Sequence, residues 1–298
     1  MKTQKIKMLL SGLFMLSLCL VADAQEKSAA RTKHPLWRVS SKENSVYLLG
    51  SVHLLKEGNY PLADVIEAAF KESEIAVFEV DLGDMVKPEK QMVILQKAFL
   101  PPDQTLQGQL SKETYERLKE AAAAMQLNVA MLARFRPWYV AVAVSMEKLR
   151  RLGFLPENGV DRHYYNKAVK AGKKVVGLET IEDQLDMFAK LTEKNQEEFL
   201  GQVLDDMDMV EDQLSEIVKA WSTGDAKGIE KTLLKSFKDH PDIYEVVLTS
   251  RNKKWLVKVE QFLKGKKKHF VVVGTAHVAG KDSLVELLEK KGYKVEQL

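Results

Sequence analysis

The sequence predicts an α/β fold: a central sheet, mixed or mostly parallel, that is flanked by helices and carries helical insertions between its amino- and carboxyl-terminal halves. Two short apolar runs, Val46–Leu49 and Phe270–Val273, each lead into a glycine and are typical of buried strands. Stretches with apolar residues at helical spacing lie between such strands at both ends of the chain. Alternation of strand and helix is the pattern of an α/β sheet.

The amino-terminal half begins with two predicted strands, Trp37–Val39 and Val46–Leu49, joined by a polar turn. A helix is predicted over Leu62–Ser73, where apolar residues recur every three or four positions, and a strand over Ile75–Val80. Residues 85–150 are then mostly helical, and we expect this insertion to cover a site on the sheet. Its clearest helices are Gln91–Phe99, Lys112–Gln126 and Arg136–Leu152.

The carboxyl-terminal half returns to alternating helix and strand, with a second helical insertion at about 190–240. Thr180 is predicted to cap the helix that follows it. The predicted helices are Gly159–Ala171, Ile181–Leu191, Lys253–Leu263 and Ser283–Lys291, and the predicted strands are Lys174–Leu178, Phe270–Val273 and Tyr293–Glu296.

Residues 1–24 have the features of a signal peptide: three lysines, the apolar run Met8–Val21 and the small-x-small sequence Ala22-Asp23-Ala24. We expect cleavage after Ala24 and a periplasmic or secreted mature chain, 25–298, that forms one domain. The apolar run is shorter than the roughly 20 residues that a bilayer span needs. No stable membrane span is therefore expected in the mature form.

Cys19 is the only cysteine and lies inside the predicted signal peptide. Lipid attachment there, as in a lipoprotein, is less favoured because Leu18 precedes it where a small residue is expected. The mature chain then has no disulfide and no thiol nucleophile. Three of the 45 basic side chains and one of the 42 acidic ones fall in the signal peptide, so the mature chain is nearly neutral. This charge balance indicates no nucleic-acid partner.

The chain contains two Gly-x-x-His motifs, each directly after an apolar strand, which end at His53 and His277. Glu79 and Glu179 also end, or directly follow, predicted strands. In open α/β sheets, ligands bind at the carboxyl ends of the strands. We therefore expect these four side chains to converge there. They suit either a divalent metal such as Zn, Mn, Co or Fe, or a metal-free acid/base site.

Each candidate residue also has a purely structural interpretation. His277 is able to satisfy a buried carbonyl, Glu179 is an anion near a predicted helix N-terminus, and Asp161 is placed to cap a helix. Arg251 is a candidate for holding a substrate carboxylate or a developing oxyanion, with an internal ion pair as the alternative.

Several common catalytic signatures are absent from the sequence. It contains no His-Glu-x-x-His, no Gly-x-Ser-x-Gly, no P-loop and no Gly-x-Gly-x-x-Gly, which argues against ordinary zincins, α/β-hydrolases, nucleotide hydrolases and Rossmann dehydrogenases. His163, His240 and His269 lie among charged residues, a context typical of the surface.

An ordered set of motifs resembles the TraB/GumN family, which includes the Tiki-type metalloproteases. The motifs run from about residue 35 to the end of the chain and are Tyr47-Leu-Leu-Gly-Ser-Val-His53, Phe78-Glu-Val-Asp81, Gly159-Val-Asp161, Gly177-Leu-Glu-Thr180, Arg251-Asn252 and Val273-Gly-Thr-Ala-His277. The resemblance implies a fold of the type found in erythromycin esterases and ChaN-like haem-binding proteins. It also implies that His53, Glu79 and His277 form the active constellation, with manganese or cobalt as the metal of Tiki-type peptidases.

The sequence therefore predicts an exported, metal-dependent hydrolase of the peptidase type that acts on a peptide or another small exported substrate. A divalent ion, Mn, Co or Zn, is the expected cofactor. The predicted catalytic residues are His53, Glu79, Asp161, Glu179 and His277, the predicted metal ligands are His53, Glu79 and His277, and the predicted substrate-binding residues are Ser51, Arg251 and Asn252. Two alternatives stay open: a periplasmic protein that binds haem, a metal or a glycan without turnover, and an accessory protein of polysaccharide biosynthesis or export.

Overall fold

The computed structural model describes residues 33–236 and 241–298. The predicted signal peptide, its cleavage site and His240 lie outside these residues, so their assignment stays a prediction. Within the described part of the chain, no helix is long and apolar enough to cross a bilayer.

Six strands form one mixed sheet at the centre of the molecule. They are β1 (Leu36–Ser40), β2 (Ser45–Ser51), β3 (Ile75–Phe78), β4 (Lys174–Gly177), β5 (His269–Gly274) and β6 (Lys294–Gln297). Their spatial order is β4-β3-β5-β2-β1-β6. The first four in this order are parallel to one another, whereas β1 is antiparallel to both β2 and β6. The predicted sheet is thus confirmed, and the ends of β2 to β5 lie together at what we call the carboxyl edge.

Helices cover both faces of this sheet and make up the two insertions. They are α1 (Asp64–Glu72), α2 (Pro88–Ala98), α3 (Lys112–Ala124), α4 (Pro137–Arg151), α5 (Val160–Lys170), α6 (Ile181–Ala189), α7 (Glu193–Asp206), α8 (Val210–Ser222), α9 (Ala226–Ser236), α10 (Pro241–Tyr244), α11 (Ser250–Lys264) and α12 (Leu284–Lys290). A π-helical turn, Glu245–Thr249, joins α10 to α11. Short 3₁₀ turns lie at Glu57–Asn59, Asp84–Val86, Gln107–Gln109, Val129–Leu132, Pro156–Asn158 and Thr275–His277.

Local sequence signals set the starts of several helices. Pro137 is the first residue of α4, where its missing N–H costs no hydrogen bond. The Thr180 side chain accepts a hydrogen bond from the Asp183 N–H, and the Asp183 carboxylate accepts one from the Thr180 N–H. This reciprocal pair confirms the predicted cap of α6 and satisfies two amide donors that the helix itself leaves unpaired.

The centre of the sheet, β5, is buried along its whole length. Phe270 and Val272 pack with residues of α1 and α5 on one face, and Val271 and Val273 pack with residues of α11 and α12 on the other. Each fully buried side chain of this size contributes about 1.5–3 kcal/mol. The strongest part of the core therefore fixes the strand that ends at Gly274.

A separate apolar cluster holds the helical insertions together. It includes Leu118 of α3, Val140 and Val144 of α4, and Leu200 of α7, all with no exposed surface. Its presence explains how α4, which belongs to the first insertion, is held in a fixed position beside the sheet.

Two expectations about individual residues need correction. The strand predicted over Ile75–Val80 ends at Phe78, so Glu79 already lies beyond the sheet. The surface position predicted for His269 is wrong, because this residue begins the central strand, is 7% exposed and stacks on Phe262. The lysines that surround it in sequence concealed its position.

Candidate active site

The four side chains predicted to converge do meet at the carboxyl edge. His53 lies two residues after β2, Glu79 directly after β3, Glu179 two residues after β4, and His277 three residues after β5. Glu79 lies between the two histidines: its Oε1 is 3.6 Å from His53 Nε2 and 3.9 Å from His277 Nε2. Parallel pairing of the strands thus brings together residues that are far apart in the sequence.

Gly274 provides the space in which these groups meet. A Cβ atom at this position would lie 3.0 Å from His53 Nε2 and 3.2 Å from Glu79 Oε1, tighter than ordinary carbon contacts. Its backbone N–H donates to Glu79 Oε1 at 2.7 Å. The glycine of the second Gly-x-x-His motif is therefore needed for close approach of the backbone to the site.

His53 is held from the first turn of α5 by Asp161. The Asp161 Oδ1 atom lies 3.2 Å from His53 Nδ1 and accepts a hydrogen bond from Ser51 Oγ at 3.0 Å. The Asp161 N–H in turn donates to Ser51 Oγ at 3.2 Å. With its Nδ1–H directed at the carboxylate, His53 presents Nε2 to Glu79 and to solvent.

The same contacts show that Asp161 does not cap the helix that carries it. The residue at the N-cap of α5 is Gly159, which makes no side-chain cap, and Asp161 points back to His53 instead. A Cβ at Gly159 would lie 2.3 Å from the His53 carbonyl oxygen, so only glycine lets α5 begin this close to β2. Ser51 is 1% exposed and positions Asp161; its predicted contact with substrate stays a prediction.

Arg251 uses all five of its N–H donors inside the protein. Its Nε and Nη2 donate to the two carboxylate oxygens of Glu179 at 3.2 and 2.7 Å, and Nη2 also donates to Glu79 Oε2 at 2.5 Å. Its Nη1 donates to the Val247 carbonyl and lies 3.0 Å from His277 Nε2. The internal ion pair left open as an alternative is thus observed, and no donor remains for a substrate carboxylate. We call His53, Glu79, Glu179, Arg251 and His277 the edge cluster.

His277 is buried and held on both sides. Its Nδ1 lies 2.7 Å from Asn252 Oδ1 and its Nε2 faces Arg251, so Nδ1 carries the proton and Nε2 accepts. The Asn252 amide donates to the Asp282 carbonyl at 2.9 Å, so Asn252 positions His277; its predicted contact with substrate stays a prediction. Burial lowers the pKa of His277 to about 3, so the ring is neutral at pH 7.

The pKa values of the two glutamates at the site are shifted in opposite directions. Burial alone raises the pKa of Glu79, but the His53 ring 3.6 Å away and the charge of Arg251 outweigh it and hold that pKa well below its ordinary value. Burial raises the pKa of Glu179 against the opposing effect of Arg251. The shared guanidinium thus favours the ionised form of both carboxylates, but Glu179 has a higher pKa than Glu79.

His53 has the opposite environment to His277. Burial lowers its pKa, but the Asp161 carboxylate and then Glu79 outweigh this and raise the pKa well above 6.5. Because 52% of the His53 side chain is exposed, its burial is only partial and the two carboxylates determine the direction of the shift in its pKa. His53 is therefore the accessible, basic imidazole of the pair.

Two cavities adjoin His53 and Glu79. The larger has a volume of about 450 Å³, within the range of small-molecule sites, and lies between the carboxyl edge and helices α4 and α6. Its wall is mostly apolar and is formed by Leu54, Phe78, Val80, Leu82, Met85, Val142, Met146, Pro156 and Val272, with His53, Glu79, Asp161, Arg162 and Gln184 as its polar members. The smaller, of about 260 Å³, lies over Gly274–His277. Val142 and Met146 belong to α4, so the first insertion does cover the site.

The side chains predicted to hold a metal do not fit one in this arrangement. Ligand bonds of about 2.0–2.2 Å require lone pairs directed at a common point. The Nε2 lone pair of His277 instead faces Arg251 Nη1 at 3.0 Å, and Glu79 Oε1, the oxygen nearest to both histidines, accepts a hydrogen bond from the Gly274 N–H. Across residues 33–236 and 241–298, no group of three His, Cys, Asp or Glu side chains is placed to hold a metal ion.

Three members of the site were not selected from the sequence. Trp255 donates to Glu179 Oε2 at 3.2 Å and lies one helical turn after Arg251, a spacing that would have indicated it. Gln184 donates to Glu79 Oε2 at 3.3 Å. Arg162 lines the larger cavity and follows Asp161 directly. The motifs of the family resemblance extend to Gln184, whereas the sequence carried no separate signal for Arg162.

The protein is thus an α/β protein with a preformed polar site. Its sheet has four parallel strands, and histidine, carboxylate and arginine side chains cluster at the carboxyl edge. The family model of the TraB/PrgY/gumN family matches residues 35–297. The chain therefore belongs to this family, and the resemblance stated from the motifs is confirmed. No curated protein and no solved structure matches the chain.

Proposed function

We propose that this protein is an exported hydrolase of the peptidase type, in which His53 is the general base that activates water. The observation that carries the proposal is the His53–Asp161 pair, whose imidazole opens onto the larger cavity. His53 has half of its side chain exposed, whereas His277 is 3% exposed and has both ring nitrogens occupied. Of these two histidines, only His53 is free to reach a substrate.

The proposed step needs one proton carrier. Neutral His53 takes a proton through Nε2 from a water molecule while the water oxygen attacks the carbonyl carbon of the peptide bond. Asp161 and Glu79, at 3.2 and 3.6 Å from the ring nitrogens, stabilise the imidazolium that forms. When the C–N bond breaks, the imidazolium returns the proton to the leaving amine, so His53 ends the cycle neutral.

The remaining residues of the edge cluster position this base. Arg251 holds Glu79 next to His53 and also bonds Glu179 and His277, which ties the ends of three strands together. These contacts of Arg251 are made without a substrate, so the groups around His53 are already in position before substrate binds.

The test is a comparison of matched histidine variants on a library of internally quenched peptides, with the mature chain from Gln25. We expect His53→Gln to remain folded, since its side chain is half exposed, and to lose turnover by ~10² or more. His163→Gln is the control, because His163 lies on α5 outside both cavities and should retain wild-type turnover. Wild-type turnover by His53→Gln would reject the proposed base. Binding of haem or a glycan without cleavage would favour ligand capture instead.

The predicted metal requirement has its own measurement. Because Arg251 occupies the Nε2 lone pair of His277, we expect no stoichiometric binding of Mn²⁺, Co²⁺ or Zn²⁺ by calorimetry. Binding that disappears in the His53→Ala/His277→Ala double variant would show that Arg251 moves aside, and would restore the metal-dependent mechanism.

Export rests on the predicted signal peptide. We expect mass spectrometry of the purified protein to give Gln25 as the first residue and fractionation to place it outside the cytoplasm. A chain that begins at a lipid-modified Cys19 would support the lipoprotein alternative.

A further inference from the structure

We propose that Arg162 binds the C-terminal carboxylate of a peptide substrate whose last side chain is apolar. The inference rests on the proposed function and deepens it, because it names the class of peptide that the site accepts. It assigns a specificity-determining role to a residue outside the edge cluster.

Arg162 is a half-buried arginine in the wall of the larger cavity. Within the described residues its guanidinium forms no hydrogen bond and no ion pair, in contrast to Arg251, Arg134 and Arg117, which are all engaged. Five N–H donors in a planar fork are therefore available to a carboxylate, which matches that geometry.

The position of Arg162 has no advantage for the helix that carries it. It is the third residue of α5, where the helix dipole is positive and a cation is unfavourable. An anion bound in the adjoining cavity would offset this unfavourable interaction between the Arg162 cation and the helix dipole. Arg162 and His53 both line the larger cavity, so a carboxylate bound by Arg162 would share that cavity with the proposed base.

The rest of the cavity wall is suited to an apolar side chain. Leu54, Met85, Val142 and Met146 all line it, and Val142 and Met146 are 37% and 36% exposed, a large fraction for apolar side chains. A leucine- or methionine-sized group would cover this surface. An anion beside an apolar side chain is the chemistry of a peptide C-terminus that ends in such a residue.

The test measures kcat/KM for acetyl-Ala-Ala-Ala-Leu, for its C-terminal amide, and for the amide with Glu in place of Leu. We expect wild type to prefer the free acid over the Leu amide by about tenfold or more, the factor of one charge-assisted hydrogen bond. Arg162→Gln should bring this ratio close to one, and Arg162→Lys should retain part of it. Lys170→Gln, which removes one exposed cation from the other end of α5, should leave it unchanged.

A second readout separates this inference from the proposed function. Calorimetry of acetyl-leucine and acetyl-leucinamide with His53→Gln protein measures binding without turnover, and adding Arg162→Gln should abolish the preference for the acid. Cleavage without preference for the acid, or with a preference unchanged in Arg162→Gln, overturns the inference and leaves the hydrolase intact. Acid-selective binding without cleavage in wild type supports the carboxylate site and rejects the hydrolase. Preference for the Glu amide overturns the C-terminal assignment.

Discussion

Replacement of Arg251 by methionine would leave two carboxylates without the cation they share. Glu79 and Glu179 are only 10% and 9% exposed, and both bond the guanidinium at 2.5 and 2.7 Å. Methionine fills much of the same volume but donates no hydrogen bond. Breaking a buried ion pair by removal of one partner costs about 3–5 kcal/mol, and loss of the contact over the Trp255 ring, 4.4 Å away, adds to this.

The pH dependence of this loss distinguishes charge from packing. Without Arg251, the pKa of Glu179, which burial already raises, should rise further above its unfolded value near 4.5. A carboxyl group with a raised folded pKa destabilises the fold fully above that pKa, and the penalty disappears as pH falls towards the unfolded value. We therefore expect the destabilisation by Arg251→Met to be largest at pH 8 and clearly smaller at pH 5.

Urea unfolding of wild type and Arg251→Met at pH 5 and pH 8 measures both quantities. Arg150→Met is the matched control, since Arg150 forms an exposed pair with Glu147 and should have a small effect at either pH. Adding Glu179→Gln to Arg251→Met should recover part of the lost stability. A destabilisation below about 1 kcal/mol, or one equal at both pH values, would refute the account of a buried, shared cation.

Three further predictions concern the base, the glycine and the buried histidine. If His53 acts as base, kcat/KM should rise with pH as the ring loses its proton around its raised pKa. Asp161→Asn should move this rise to lower pH and reduce the maximum kcat/KM by ~10². A pH profile that stays in place in Asp161→Asn would argue against the His53–Asp161 pair. Gly274→Ala should reduce turnover by about 10² because its Cβ would displace His53. Gly201→Ala, at an open position in a helix, should instead stabilise the fold by about 0.5–1 kcal/mol. Equal turnover in the two variants would contradict the close approach of the Gly274 backbone to His53 and Glu79. Unfolded histidine takes up a proton below pH 6.5, whereas folded His277 does so only near pH 3, so the free energy of unfolding of wild type should fall by up to ~1.4 kcal/mol per pH unit between these values. Urea titration of His277→Gln should give a shallower dependence on pH. Equal slopes in the two proteins would mean that the ring is charged in the fold.

Much of the fold followed from local sequence signals. The apolar run that forms β5 is buried on both faces, as its lack of polar residues indicated, and Thr180 begins α6 as its side chain indicated. Residue identities next to strand ends also pointed to His53 and His277. These features are local because burial of a strand and capping of a helix depend on residues a few positions apart.

Chemical roles depended on contacts that no local pattern contains. All five donors of Arg251 are used within the protein, and Ser51 and Asn252 position other site residues. The difference between an exposed His53 and a buried His277 likewise follows from which helices lie over each strand end.

The sequence by itself determined the alternation of elements, the family and the set of residues at the strand ends. Only the tertiary structure decided how those residues share protons and charge. The physical reason is that a pKa, or a free hydrogen-bond donor, is set by every group within a few ångströms. At the carboxyl edge those groups come from four strands and from helices α5 and α11, which the chain brings together over more than 200 residues.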